Sequence, residues 1–424
     1  MRRKLTITLA VLLLCTSLLA PLAAAVDVEP FIDESRDLAT DNEWEALVQI
    51  NHLRLAEGMP PLAMAEALQP LAAWRAFELS YVFGSTRPDG EAPWYTVLDE
   101  AEIAYTAAAE LIARGFPSGA TVVAEWANEE MDIILGDYTH IAISHNIDQD
   151  IWCVLFIYSG EHESLRLHFS GTRYLTAGQS LESLRLMLET YGAIGPSFIP
   201  LVDSMVRDFD TNRASVQQPK FELFGFSGSF RLEVRFTDVD YNDWYANYVR
   251  FATENGLFNG VSPTEFAPHA SMTRAMFVTV LGRQAERMGL PITGDHSQFT
   301  DVRDGAWYSR YIAWAVERGI THGIGGGLFG VHDTVTREQM ATFLLRFVDY
   351  AGIELTPDGV VPLDFDLPYI ADLGAVSSWA RNAVVLLVVL NFIDLDAFDQ
   401  FRPAEDATRA VVAKALTVLA RDHV

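Results

Sequence analysis

Apolar positions along this chain change their rhythm several times, and each change marks a boundary. A largely apolar run from Leu5 to about Leu22 follows Arg2-Arg3-Lys4 and precedes Ala23-Ala24-Ala25. That layout predicts a secretory leader over residues 1–25, with Pro21 and the small residues favouring cleavage over an uncleaved membrane helix. From Thr40 the rhythm becomes helical: Trp44, Leu47, Val48 and Leu55 recur at three and four until Gly58, and Thr40 with Glu43 has the capping-box spacing. Leu68, Leu71, Ala72, Arg75 and Leu79 predict a second helix over 66–81. Further helices are predicted over 94–98, 104–114 and 121–135. Alternation then takes over in His140-Ile-Ala-Ile-Ser and in Ile151 to Ile157, which predicts two antiparallel strands around the turn at 146–150. Residues 26–160 therefore read as an α+β domain, helices against a small sheet.

Between 161 and 235 short alternating segments are separated by Gly and Ser, as in Ser164–Phe169, Phe221–Phe224 and Phe230–Val234. They predict a small β-sandwich spacer, or else an extension of the first domain's sheet. From Phe236 onward one unit is written three times. Phe236-Thr-Asp-Val, Trp244-Tyr and Thr273-Arg-Ala return 63 positions later as Phe299-Thr-Asp-Val, Trp307-Tyr and Thr336-Arg-Glu. Ile370-Ala-Asp-Leu, Trp379-Ala and Thr408-Arg-Ala follow after 71 or 72, so the expected repeats span 236–298, 299–369 and 370–424, with an insertion around 357–368. Each reads as helix, long loop, helix. Tyr245, Tyr248, Val249 and Ala252 give an apolar face ended by Gly256, and Thr273 caps a helix that buries Phe277, Val280 and Leu281. Two short helices cannot close a core, so the copies must pack on one another.

Composition narrows the function. The chain has 424 residues, 50% of them hydrophobic, with 57 acidic against 30 basic side chains. Loss of Arg2, Arg3 and Lys4 with the leader leaves 27 basic groups and a formal charge of −30. Such a surface repels nucleic acid and anionic lipid. Only Cys153 remains after cleavage, so no intramolecular disulfide is available, and no second segment is long enough to span a bilayer. Cys153 alternates with Ile151 and Leu155 and reads as a buried small residue; His140 reads as structural and His145 as a solvated turn residue.

Among residues that could carry chemistry, Arg274, Arg337 and Arg409 stand out. Each lies in the first turn of a helix whose free amides already favour anions, so the dipole gives an arginine no advantage there. Three guanidinium forks displayed periodically could bind carboxylate or phosphate on an otherwise acidic protein; the competing account is an internal bond to the Phe-Thr-Asp-Val aspartate or a nearby loop.

Over 42–159, Asn51-x-x-Arg54, Gly58, Pro61-Leu62, Thr86-Arg-Pro-Asp-Gly90, Trp94, Glu110, Trp126 and Tyr138-Thr-His-Ile-Ala-Ile together resemble the bacterial branch of the CAP superfamily (SCP/PR-1-like). The resemblance implies a cavity with two histidines and two acidic residues. Matched by position, Ser85 stands in place of the first histidine, the acidic pair is Glu110 and Glu129, and Glu130 or Met131 replaces the second histidine. Without imidazole a zinc enzyme is disfavoured, and the two carboxylates would repel each other. Tyr174, Gly178, Leu184, Tyr191, Met205 and Asp210 resemble bacterial immunoglobulin-like domains. The segment from Phe236 resembles three S-layer homology domains, which implies an all-α pseudo-threefold body binding secondary cell wall polysaccharide, often through a pyruvylated sugar. The implied groove residues are Thr273-Arg274, Thr336-Arg337 and Arg409 with Trp244, Trp307, Gly256 and Gly319.

The expectation is then a secreted, wall-associated protein with no cofactor and no metal. A non-catalytic CAP-like domain is displayed by an anchoring triplet that holds anionic wall polysaccharide. The alternatives are a wall-anchored hydrolase working through the first domain and a purely architectural surface-layer protein.

Overall fold

Thr40 starts the first helix, α1 (Asp41–Ala56), as its spacing requires. Its hydroxyl accepts from the Glu43 amide at 3.4 Å, and the Glu43 carboxylate accepts from the Thr40 amide at 2.7 Å. In the computed structural model, which describes residues 38–169, 174–294, 298–355 and 369–422, there follow β1 (Ala63–Ala65), α2 (Gln69–Glu78), α3 (Thr96–Glu100), β2 (Ala107–Arg114), α4 (Gly119–Glu129), α5 (Met131–Ile134), β3 (His140–Asn146) and β4 (Ile151–Tyr158). The expected leader over 1–25 and the insertion around 357–368 lie outside the described residues. One element differs in kind: residues 104–114, expected to be helical, form β2. Its alanines favour a helix locally, but it pairs with the whole of β4, from Ala107 opposite Tyr158 to Arg114 opposite Ile151, and that ladder wins.

β4 is apolar throughout because both of its faces are covered. Trp152, Val154 and Phe156 pack with Leu47 and Ile50 of α1 and with Val122 and Trp126 of α4. Cys153, Leu155 and Ile157 pack the other way, with Ala72 and Ala76 of α2 and Leu98 of α3. Three layers result, helix on sheet on helix.

The chain continues through β5 (Ser164–Phe169), β6 (Tyr174–Thr176), β7 (Leu186–Tyr191), β8 (Ser197–Pro200), β9 (Val206–Arg207), β10 (Ser215–Gln217), β11 (Lys220–Leu223), β12 (Phe226–Ser229) and β13 (Leu232–Arg235). Among the described residues no separate β-sandwich forms over 161–235. Instead β8 pairs with β1, Met64 opposite Phe198, and brings β7 and β5 into one seven-stranded sheet of order β2-β4-β3-β1-β8-β7-β5. Without β8, the three buried residues of β1 would present a bare edge. β9, β11 and β12 form a small sheet in the same unit, which comprises Met1–Gly171, Leu184–Asp208 and Gln218–Phe230.

The second unit holds Thr172–Ser183, Phe209–Gln217 and Arg231–Val424, including a sheet of order β10-β13-β6. Its helices are α6 (Ala246–Glu254), α7 (Arg274–Arg287), α8 (Ser309–Glu317), α9 (Arg337–Ala351), α10 (Arg381–Val389) and α11 (Arg409–Asp422). The first helix of each copy packs on the second helix of another: α8 on α7, α10 on α9, α6 on α11. The copies therefore close into a ring. At its centre Met272 donates its amide to Ala407 (2.9 Å), Ala407 to Val335 (2.8 Å) and Val335 to Met272 (2.9 Å), a triangle of backbone hydrogen bonds with all three side chains buried. Gly256 and Gly319 end α6 and α8 at φ +70° and +68°; Asn391 takes the same left-handed position after α10 at +59°, which asparagine tolerates.

Candidate functional site

The three repeated arginines do not project freely into solvent. Arg274 and Arg409 are buried, and each spends two nitrogens on the loop of the next copy around the ring. Arg274 Nε donates to the Phe329 carbonyl (3.1 Å) and Nη2 to His322 (2.7 Å). Arg409 Nε donates to Phe266 (2.7 Å) and Nη2 to Asn259 (2.7 Å). Arg337, half-buried, repeats the arrangement with Phe401 (2.6 Å) and Asp394 (2.9 Å). Burial lowers all three against the opposing pull of nearby carboxylates, Arg409 to about 10 against Asp238. The same loop is held from its own copy by the motif aspartate. Asp238 accepts from the Phe266 and Ala267 amides (2.8 and 2.6 Å), Asp301 from Phe329 and Gly330 (2.7 and 2.8 Å), and Asp372 from Phe401 and Arg402 (both 2.7 Å). One phenylalanine peptide per copy is thus gripped on its N–H by its own aspartate and on its C=O by another copy's arginine. The expected freely displayed forks are corrected accordingly: their principal geometry is a clasp between copies.

Thr273 and Thr336 cap α7 and α9 through the Met276 and Gln339 amides, and Gly256 and Gly319 serve the helix ends. The tryptophans behave differently from core residues. Trp244, Trp307 and Trp379 are 48%, 57% and 54% exposed at equivalent positions just before α6, α8 and α10, each next to a residue that turns inward. A cavity of about 540 Å³ is lined by residues of all three copies, Trp244 of the first, Arg337 of the second and Asp394, Asp396, Arg402 and Lys414 of the third. Arg337 Nη1 has no partner there among the described residues, Arg402 pairs with Asp396 and Glu405, and Lys414 pairs with Asp394. A larger cavity of about 830 Å³ lies elsewhere in this unit, against β10 and β13.

In the first unit the expected cavity residues do not converge. Glu110 lies on the α2 side of β2, while Glu129 ends α4 on the opposite face of the sheet. Glu129, Glu130 and Ser85 are exposed. Repulsion between Glu110 and Glu129 is therefore replaced by an ion pair that sequence reasoning missed. Arg75 Nε meets Glu110 Oε1 at 2.7 Å and its Nη1 meets Glu78 at 3.3 Å, all three side chains being buried. Burial raises Glu110 despite Arg75, and raises the Cys153 thiol beside it still more clearly. Arg87 joins Glu78 to Glu100 at 2.7 and 2.9 Å. Above this network Trp74, Phe77 and Tyr81 form an exposed aromatic row with ring centres 5.6 and 5.2 Å apart. The signal for Arg75 was present: a cation written into the apolar stripe of α2 needs a buried partner. His145 is also corrected; it stacks on Trp152 at 4.0 Å instead of standing in solvent. Among the described residues no group of three or more metal-binding side chains occurs, and no helix is long and apolar enough to cross a membrane.

Residues 235–276 and 298–341 match the model of the S-layer homology domain. The chain is 30% identical over 184 residues to an endoglucanase of Bacillus sp. (strain KSM-635), covering 43% of this chain and 18% of that protein. It is 31% identical over 140 residues to the surface-layer 125 kDa protein of Lysinibacillus sphaericus, covering 31% and 12%. It thus spans less than a fifth of either relative. Among solved structures, an extracellular protein containing a SCP domain from Bacillus anthracis str. Ames matches 28% of this chain and 40% of its own at 18% identity, with a TM-score of 0.26. This chain carries an S-layer homology domain and is an exported protein of the cell surface and wall.

Proposed function

We propose that the second unit holds this chain non-covalently on an anionic secondary wall polysaccharide and that the first unit is the cargo it displays. The observation that carries this reading is the outward placement of Trp244, Trp307 and Trp379. A large aromatic left half-exposed at the same place in three copies is not required for packing, and its flat face suits sugar rings. In this reading the arginines shape the grooves by fixing their walls. Arg402 and Lys414 are paired with Asp396, Glu405 and Asp394, which leaves Arg337 as the cation to meet an anion there, and a sugar-borne carboxylate such as a pyruvyl group suits it.

The test is retention of the full-length exported chain on purified walls, before and after acid extraction of secondary polysaccharide. Replacing Trp244, Trp307 and Trp379 together with Ala is expected to lower retention by about tenfold or more with unchanged circular dichroism. Equal retention by the variant, or by extracted walls, would remove the reading.

A second reading makes the cargo a hydrolase, and the endoglucanase relative favours it. Its geometric support is the pair Glu78 and Glu110 on one guanidinium beneath an exposed aromatic row; a carboxyl with a raised pKa is what a general acid needs. Products released from wall glycans by the full chain, and abolished by Glu110→Gln, would establish it. Products unchanged by that replacement, or none, leave a non-catalytic display domain.

A further inference from the structure

His140 and His162 lie in the first unit, outside every site described so far. His140 is 1% exposed, its Nδ1 lying 2.8 Å from Thr139 Oγ1 and 2.9 Å from Ser159 Oγ, while its Nε2 is buried with no partner among the described residues. Both ring nitrogens of His162 are likewise buried and unpartnered. The two ring centres lie 4.9 Å apart with the planes inclined by 54°. Phe224 closes the other side of His162, its ring centre 4.3 Å away. It does so from the two-residue turn between β11 and β12, at a φ of +52° that a phenylalanine rarely adopts.

Three buried ring nitrogens without partners are costly if nothing meets them. The paired rings have the separation that a shared ion would set. An imidazole nitrogen sits about 2.0–2.1 Å from zinc, which puts the ring centre about 3.2 Å away, so two imidazoles on one tetrahedral ion stand roughly 5 Å apart. The two hydroxyls on His140 Nδ1 provide the outer contact that fixes a ligating ring.

We propose that His140 and His162 together bind one nitrogen-preferring divalent transition ion, with zinc as the reference ion and water in the remaining positions. Two imidazoles without a carboxylate select against calcium and magnesium, which take oxygen. Neither histidine belongs to the Ser85, Glu110 and Glu129 set, so the site is independent of the readings above.

The experiment is calorimetric titration of the full chain with zinc at neutral pH, in excess magnesium to occupy surface carboxylates. His162→Gln is the main variant, because His162 lies in a connecting loop, and His269→Gln, an exposed position, is the control. One equivalent is expected, weakened by about tenfold or more in His162→Gln and unchanged in His269→Gln. Cobalt in place of zinc should give visible absorption that His162→Gln loses. Equal zinc affinity in wild type and His162→Gln, or no saturable equivalent in the wild type, overturns the proposal.

Discussion

At the scale of single residues, the arginines show how one side chain type answers two demands. A guanidinium that donates to two carbonyls of another copy cannot be replaced by an ammonium, which lacks the fork. Arg274→Lys is therefore expected to lower the unfolding free energy by about 2–3 kcal/mol in urea titration of the full chain. A change within about 0.5 kcal/mol, the range of an ordinary surface site, would contradict the clasp. Its opposite number is acidic. Burial alone would raise Asp301, but the amides of Phe329, Val331 and Gly330 outweigh it and hold the carboxyl below its ordinary 3.8. Because the folded value is the lower one, this stabilisation is complete above 3.8 and is lost as pH falls through the folded value. Melting curves of wild type and Asp301→Asn should differ by a constant amount above that range and converge below it. A gap that does not narrow in acid would refute the assignment. Arg54, also buried, follows the same habit, donating to the carbonyls of Pro60, Ile134 and Gly136.

At the scale of elements, what the sequence revealed depended on how local the cause was. The capping box of α1, the Thr336 cap of α9 and the strands β3 and β4 are legible because their signals lie within a few residues. β2 was misread because its eight partners lie on β4, more than thirty residues on, and alanine favours a helix until such a ladder exists. The same holds for β5, β7 and β8, whose place in the large sheet is decided by the short edge at β1. For the site, the repeated Thr-Arg positions were legible as a pattern, but their direction was not. Periodicity marks a position as special without saying whether its side chain turns inward. The tryptophans were readable after the fact, since Trp244 falls outside the stripe of Tyr245, Tyr248, Val249 and Ala252. Helix contact also depends on one glycine. A methyl group on Gly119 would come within 2.3 Å of the Asn42 carbonyl and 2.4 Å of the Ala46 amide, rigid backbone of α1 in both cases. Gly119→Ala should therefore cost about 1–3 kcal/mol by forcing α1 and α4 apart. A melting temperature equal to wild type would show that α4 can shift freely.

At the scale of the whole molecule, the triangle at Met272, Val335 and Ala407 governs how such a chain can grow or shrink. Each copy hands its amide to another and the last returns to the first, so the count closes only at three. Deleting the third copy would strand the Met272 amide, empty the acceptors of Arg337 and uncover the seam where α6 lies on α11. A fourth copy would find no vacant position in the circuit. Open solenoids gain or lose single modules with little penalty; this architecture is instead quantised, and duplication of its gene can yield a working descendant only in whole triads.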